Sequence, residues 1–153
     1  MNIKKIKVYH LFWIVTILIL LIGLSEINNP DNTFDINIHD TYFIVPHFYA
    51  TVVMFLFYFT LGLGYWLVQK VYKKQLVKSL TLIHSVILIG SFIFYWIILF
   101  YCKLLLTDPF APLTSNNLIN ITLALELLLI VFIGIPIYIV NLLIGLFRKS
   151  YIS

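Results

Sequence analysis

The stretch HDTYFIVPHFY, from His39 to Tyr49, places two histidines and an aspartate where a polar segment meets a long hydrophobic run. Imidazole and carboxylate groups can bind metal ions, ligate haem or transfer protons. Within a membrane such ionisable groups are costly and usually face a partner, a cavity or a cofactor. On a helix, His47 would lie roughly 10 Å beyond Asp40. These residues are therefore the first candidates for a functional site.

The same residues also have a structural interpretation. An Asp or Thr directly before a hydrophobic run is a favourable N-cap, because its side chain accepts a hydrogen bond from an amide that otherwise lacks a partner. Asp40 or Thr41 would then serve to start a helix. A histidine one or two turns from the membrane boundary can likewise hydrogen-bond a neighbouring helix and do nothing more. The residues by themselves leave both interpretations open.

The elements that position these residues are predicted from composition. Hydrophobic residues make up 62% of the 153 residues and charged residues 10%, with a mean hydropathy of +1.04. Because lipid offers the backbone no hydrogen-bond partner, each span must be a helix of about 20 apolar residues or part of a closed barrel, and unalternated runs favour helices. We predict an all-α integral membrane protein with spans at about 9–24, 43–68, 80–106 and 118–147, and external loops at 25–42 and 107–117.

The charged residues predict the orientation of these spans. Lys and Arg beside short loops are retained on the cytoplasmic side of a membrane. Basic residues precede the first span, separate the second from the third and follow the fourth, whereas acidic residues lie in the two remaining loops. Both termini are therefore predicted to be cytoplasmic, in a bacterial inner membrane. The pI near 9.2 then reflects topology and does not indicate a nucleic-acid partner.

The chain has no internal repeat or low-complexity tract, and residues 1–153 are predicted to form a single domain. The first span, with its basic start, also fits a cleaved signal sequence, although it is long for one. The single cysteine, Cys102, excludes an intrachain disulfide and a multi-cysteine metal site. No glycine-rich phosphate loop or nucleophile elbow is present in the sequence.

Two further polar residues fall within the predicted spans. Glu126 lies roughly 12 Å past Leu118 along the fourth span, a depth similar to that of His47. We hypothesise that the Glu126 carboxylate accepts a hydrogen bond from the His47 imidazole, since intramembrane ionisable groups seek partners. The alternative is that this long span leaves Glu126 near the headgroups. His84 is predicted to lie at the cytoplasmic interface.

The segment DINIHDTYFIVPHFY, residues 35–49, resembles the tenth-helix signature of subunit I of the haem-copper oxidases, the cytochrome c and quinol oxidases. That signature reads close to DIxLHDTYFVVAHFHY. The match continues without gaps to Gly62 and more loosely to Trp66, and the Ile83-His84 pair is weakly similar to the start of the family's eleventh helix. The resemblance implies a truncated, degenerate counterpart of the last four of the family's twelve helices.

The resemblance also implies roles for individual residues. His47 matches the axial ligand of the high-spin haem, and His39 with Asp40 match the pair near the magnesium site and the haem propionates. The family's ligand for the low-spin haem comes two residues after His47, where this chain has Tyr49. Residues two apart on a helix point about 200° apart, so only one face keeps a ligand. Pro46 replaces the usual alanine and either kinks the helix or, in the first turn, delays its start.

The family's copper ligands, its second low-spin haem ligand and its proton-channel residues belong to helices that this sequence lacks. Oxygen reduction by this chain alone is therefore not expected. The sequence favours a non-catalytic accessory or interaction subunit of a membrane complex, in which the signature specifies helix entry and packing. The alternative is a protein that binds one noncovalent b-type haem through His47 and serves in electron transfer, haem handling or sensing.

Overall fold

The computed structural model describes residues 7–28, 33–38, 40–105 and 111–147. Most of these residues are helical, and four helical stretches are long and apolar enough to cross a membrane: Val8–Ser25, His47–Val71, Lys78–Cys102 and Leu118–Phe147. The predicted set of four apolar helices is thus confirmed by length and composition. The chain divides into two compact units, Met1–Lys73 and Lys74–Ser153. The expectation of a single domain stays a prediction.

The first unit contains a pair of long helices. Helix α1 is Val8–Glu26 and helix α2 is His47–Trp66, which continues into a π-helical segment, Leu67–Val71. Phe12 lies beside Tyr65 while Gly23 lies beside Thr51, so the two helices run antiparallel. Glycines permit this close approach because a Cβ at Gly23 would lie 2.6 Å from Thr51 Cγ2. The small residues thus bring the two backbones together.

A two-stranded hairpin separates α1 from α2. Strand β1 is Thr33–Ile38 and strand β2 is Thr41–Pro46, paired antiparallel with Thr33 opposite Pro46 and Ile38 opposite Thr41. The prediction of a helix from about residue 43 is therefore wrong at its start, because the chain is extended up to Pro46. Aromatic and β-branched residues favour the strand. Pro46, with φ −56° and ψ 137°, then occupies the N-cap of α2.

The N-cap interpretation of Asp40 and Thr41 is also wrong. Asp40 lies in the turn between the strands and Thr41 opens β2, six residues before the first residue of α2. Proline has no amide hydrogen to leave unpaired, so Pro46 suits a position at the edge of a helix. The alternative in which Pro46 delays the start of the helix is the one that the structure adopts.

The second unit contains helix α3, Lys78–Leu105, and a longer helical stretch built from α4, Ala111–Leu129, a π-helical segment, Ile130–Gly134, and α5, Ile135–Phe147. The predicted loop at 107–117 is shorter than expected, since α4 already begins at Ala111, with Pro112 in its first turn where proline is tolerated. Helix α3 contacts both α4 and α5.

The π-helical segment has a chemical reason. The ring of Pro136 crowds the carbonyl four residues earlier, that of Phe132, which lies inside this segment. A π-helical turn changes the local backbone pairing and relieves such a conflict. Gly134, the last residue of the π-helical segment, lies against α3, where a Cβ would be 3.3 Å from Leu88 Cδ1. The chain thus changes from an α-helix to a π-helix at the same place where it packs closely against α3.

Candidate functional site

The stretch HDTYFIVPHFY, residues 39–49, is called the signature stretch below. Its described residues, 40–49, belong to three local structures. Asp40 is exposed in the hairpin turn, residues 41–46 form β2, and His47 is the first residue of α2. The carbonyl of His47 accepts a hydrogen bond from Thr51 Oγ at 2.7 Å, so the histidine is fixed into the first helical turn. His39 lies outside the described residues. Its predicted pairing with Asp40 at a metal or propionate site therefore stays a prediction.

His47 and Tyr49 present different surfaces at the start of α2. His47 is half-buried, whereas Tyr49 is 63% exposed. This difference follows from the helix period, which turns residues two apart to nearly opposite sides. The position that the resemblance assigns to a second haem ligand thus holds a phenol in place of an imidazole, on a side chain more exposed than that of His47.

Among the residues that the structure describes, the recess near the start of α2 is too small to hold a haem. An apolar recess between α1 and α2 has a volume of about 40 Å³, and Gly23, Thr51 and Phe55 are among the residues that line it. Pockets that enclose drug-sized ligands have volumes of about 300–1,000 Å³. His47 does not line the recess. A haem on His47 would therefore need further walls from outside the described part of this unit.

A hydrogen-bonded polar cluster joins two helices of the second unit. Asn141 of α5 is fully buried; its Oδ1 accepts from the backbone N–H of Val77 at 3.0 Å, and its Nδ2 donates to Thr81 Oγ at 2.7 Å. The Thr81 hydroxyl donates in turn to the carbonyl of Val77 at 2.9 Å. In lipid, such bonds between helices hold neighbouring spans together. The cluster therefore fixes α5 against the start of α3.

His84 belongs to the same region, one turn beyond Thr81. Its side chain is fully buried, and its ring stacks on that of Tyr138 with 5.0 Å between centroids and 26° between planes. That His84 lies at the cytoplasmic interface stays a prediction; its complete burial against Tyr138 of α5 is a feature that sequence reasoning missed. The cause of this burial is tertiary packing, which sequence position alone does not specify.

Glu126 lies in the α4 part of the fourth span. Its Oε1 is buried and has no hydrogen-bond partner within the described ranges of the chain. The carboxyl group interacts electrostatically with the phenol of Tyr95 on α3. His47 belongs to the first unit and Glu126 to the second, and the hypothesis that they pair stays a prediction. The polar neighbour that the structure gives Glu126 is Tyr95, which sequence reasoning missed.

Among the residues that the structure describes, no three His, Cys, Asp or Glu side chains gather closely enough to hold a metal ion. Sequence reasoning also missed Asn141 and Thr81. For Asn141 the available signal was an amide side chain in an otherwise apolar stretch of α5. The arrangement as described supports hydrogen bonding between helices and an isolated carboxyl group, and no set of catalytic residues is evident among these positions.

No protein-family model, curated protein sequence or solved structure matches this chain. The resemblance to oxidase subunit I therefore remains a hypothesis based on residues 35–66.

Proposed function

We propose that this protein is a non-catalytic accessory or interaction subunit of a membrane complex. One observation carries the proposal: the signature stretch is used as a hairpin turn, a strand and the first turn of a helix. Pro46 occupies the N-cap position of α2, and the backbone carbonyl of His47 accepts a hydrogen bond from the Thr51 hydroxyl in the first turn. In this view the stretch directs the chain into the second span.

The proposal includes a topology. Both termini lie on the cytoplasmic side of a bacterial inner membrane, because the lysines flank the spans on that side. Fusions of alkaline phosphatase and of a fluorescent protein to each terminus test this topology. We expect fluorescence and no phosphatase activity at both ends. Phosphatase activity at either end would contradict the proposed orientation.

Photo-crosslinking tests the interaction role. Benzoylphenylalanine, which resembles phenylalanine, replaces Phe132 in the fourth span, which is 72% exposed, or Phe12 in the first, which is fully buried. We expect Phe132 to give an adduct with one defined membrane polypeptide in native membranes, identified by mass spectrometry, and Phe12 to give none. Further exposed positions, Phe94 and Phe100, map the extent of the surface. Adducts with lipid alone at every exposed position would contradict the proposal.

The second candidate function is that of a single-haem protein, and it rests on the match of His47 to an axial ligand. A b-type haem there would supply a redox-active iron, and His47 is the residue that would hold it. The small recess beside α2 disfavours this function for the chain by itself. A partner polypeptide would have to complete the pocket, so the second candidate also requires an interaction.

A further inference from the structure

Glu126 has an ionisable side chain in an otherwise uncharged part of the fourth span. It lies 8 residues inside the Leu118 end of that span, and Tyr95 lies 7 residues inside the Cys102 end of α3's span. At 1.5 Å per residue these depths are about 12 and 10 Å. Glu126 and Tyr95 thus lie at similar distances from the Leu118 and Cys102 ends of their spans. Both groups lie well inside the ends of their hydrophobic segments.

The described residues around Glu126 give its buried Oε1 no hydrogen bond that would compensate a negative charge. Its sequence neighbours Leu125, Leu127 and Leu128 are all more than half exposed, so lipid would cover this part of the helix. Its Oε1 is buried without a hydrogen-bond partner in the part of the chain that the structure describes. An ionised carboxylate in such surroundings is strongly destabilised, and a carboxyl group there becomes neutral by taking up a proton.

The groups that face Glu126 can be named. Helix α3 and the π-helical segment Ile130–Gly134 pack against α4. The π-helical segment has no titratable residue, and the phenol of Tyr95 is the group of α3 that interacts with the carboxyl group. The remaining titratable residues of α3 lie at other heights along it: Lys78, His84, Tyr101, Cys102 and Lys103. A phenol can hydrogen-bond a neutral carboxylic acid as donor or acceptor, although Oε1 of Glu126 has no such bond among the described residues.

We propose that Glu126 is an intramembrane proton-binding site, which carries its proton at neutral pH and has the Tyr95 phenol as its polar neighbour. The neutral acid allows α4 to lie in the hydrocarbon layer without a cationic partner. Release of the proton would place a negative charge in the hydrocarbon layer. Protonation of Glu126 therefore determines how favourably the fourth span lies in lipid. The site is distinct from the signature stretch and does not depend on the proposed interaction role.

Labelling with a hydrophobic carbodiimide tests the proposal, because this reagent reacts with a protonated carboxyl group in an apolar environment. The purified protein in lipid nanodiscs is labelled with dicyclohexylcarbodiimide over a range of pH, and modified peptides are identified by mass spectrometry. Glu26, the other glutamate of the chain, is the internal control. We expect Glu126 to be labelled at neutral pH in preference to Glu26, with labelling falling about tenfold per pH unit above its midpoint. Labelling of Glu126 no greater than that of Glu26 would overturn the proposal.

Infrared spectroscopy gives a second, independent readout. We expect wild type at neutral pH to have a carboxylic C=O band that is lost in Glu126→Gln and shifted in Tyr95→Phe. If the band is absent from wild type, Glu126 is ionised, and either a cationic partner or the headgroup region must account for it. That result would overturn the proposal even if both variants failed to fold. An unshifted band in folded Tyr95→Phe would overturn the assignment of Tyr95 as the neighbour.

Discussion

The helices of the two units are held together in different ways. In the first unit, α1 and α2 approach closely at glycines, and their aromatic rings meet across the interface. Gly62 lies against Trp13, and Phe12 lies 5.6 Å from Tyr65, measured between ring centroids. In the second unit, Asn141 binds the backbone of Val77 and the hydroxyl of Thr81. The contacts described for the first pair are close packing and ring contacts, whereas those of the second pair include interhelical hydrogen bonds beside the approach of Gly134 to Leu88.

This difference has a consequence for the surfaces that remain. Lipid is as apolar as leucine, so helices in a membrane associate through close packing and hydrogen bonds and gain little from the hydrophobic effect. Close packing uses a long strip of each helix, whereas a hydrogen-bonded cluster acts at one point. Accordingly, 33% of the first span is buried but only 11% of the fourth. The fourth span therefore offers more surface to lipid or to another polypeptide.

The largest expected effect comes from disturbing the close packing. In Gly62→Ala, the new Cβ would lie 2.7 Å from two ring atoms of Trp13 and 3.2 Å from Cβ of Phe12. The indole would have to move within a closely packed interface, and overpacking of this kind costs about 1–3 kcal/mol. We expect a loss near the upper end of that range in the free energy of unfolding, measured by titration with SDS in mixed micelles.

Gly90→Ala is the matched control for that prediction. Gly90 is also a glycine inside a membrane-spanning helix, but nothing lies within 4 Å of a Cβ added there. We expect this variant to be as stable as wild type or more stable by up to about 1 kcal/mol, since alanine favours a helix over glycine. Equal losses in the two variants would mean that the contact with Trp13 is not what makes Gly62 necessary.

An intermediate effect is expected when the polar cluster is broken. Asn141→Ala removes both interhelical hydrogen bonds and leaves the N–H of Val77 without its side-chain acceptor. Because an unsatisfied buried amide costs about 1–3 kcal/mol and interhelical bonds in membranes are individually weaker, we expect a loss of about 1–2 kcal/mol. Asn120→Ala, at an exposed position of α4, is the control and should leave the unfolding midpoint unchanged. A similar midpoint for all three proteins would argue against the cluster as the link between α3 and α5.

The smallest expected effect is the difference in stability between losing a hydrogen bond within a helix and losing one between helices. Thr81→Val removes a hydroxyl that donates to the carbonyl of Val77, four residues earlier and directly before α3, and accepts from Asn141 of α5. Thr60→Val removes a hydroxyl that makes only the first kind of bond, to the carbonyl of Leu56 at 2.7 Å. We expect Thr81→Val to cost about 0.6 kcal/mol, typical of interhelical bonds in membranes, and Thr60→Val almost nothing. The same unfolding titration measures both, and equal costs would contradict an interhelical role for Thr81.

The sequence predicts the four apolar helices because their signal is the composition of long segments. The hairpin was missed although Phe34, Ile36 and Ile38 alternate as residues of a strand do, because the apolar run from Phe43 matches a helix equally well. Pro46 was recognised as the residue that decides where the helix starts, but the choice between kink and late start needed the structure. The burial of His84 and the bonds of Asn141 depend on which helix faces which, and neither composition nor periodicity contains that information.

We propose that the stretch HDTYFIVPHFY specifies how the chain enters its second span and does not bind haem. The most direct test is the absorption spectrum, oxidised and dithionite-reduced, of the detergent-purified protein expressed with ample haem, for wild type and for His47→Ala. His10→Ala, at an exposed position of α1, is the control for general effects of losing a histidine. We predict no Soret band in any of the three proteins. A stoichiometric Soret band in wild type and His10→Ala that is lost in His47→Ala would contradict the claim and make His47 a haem ligand.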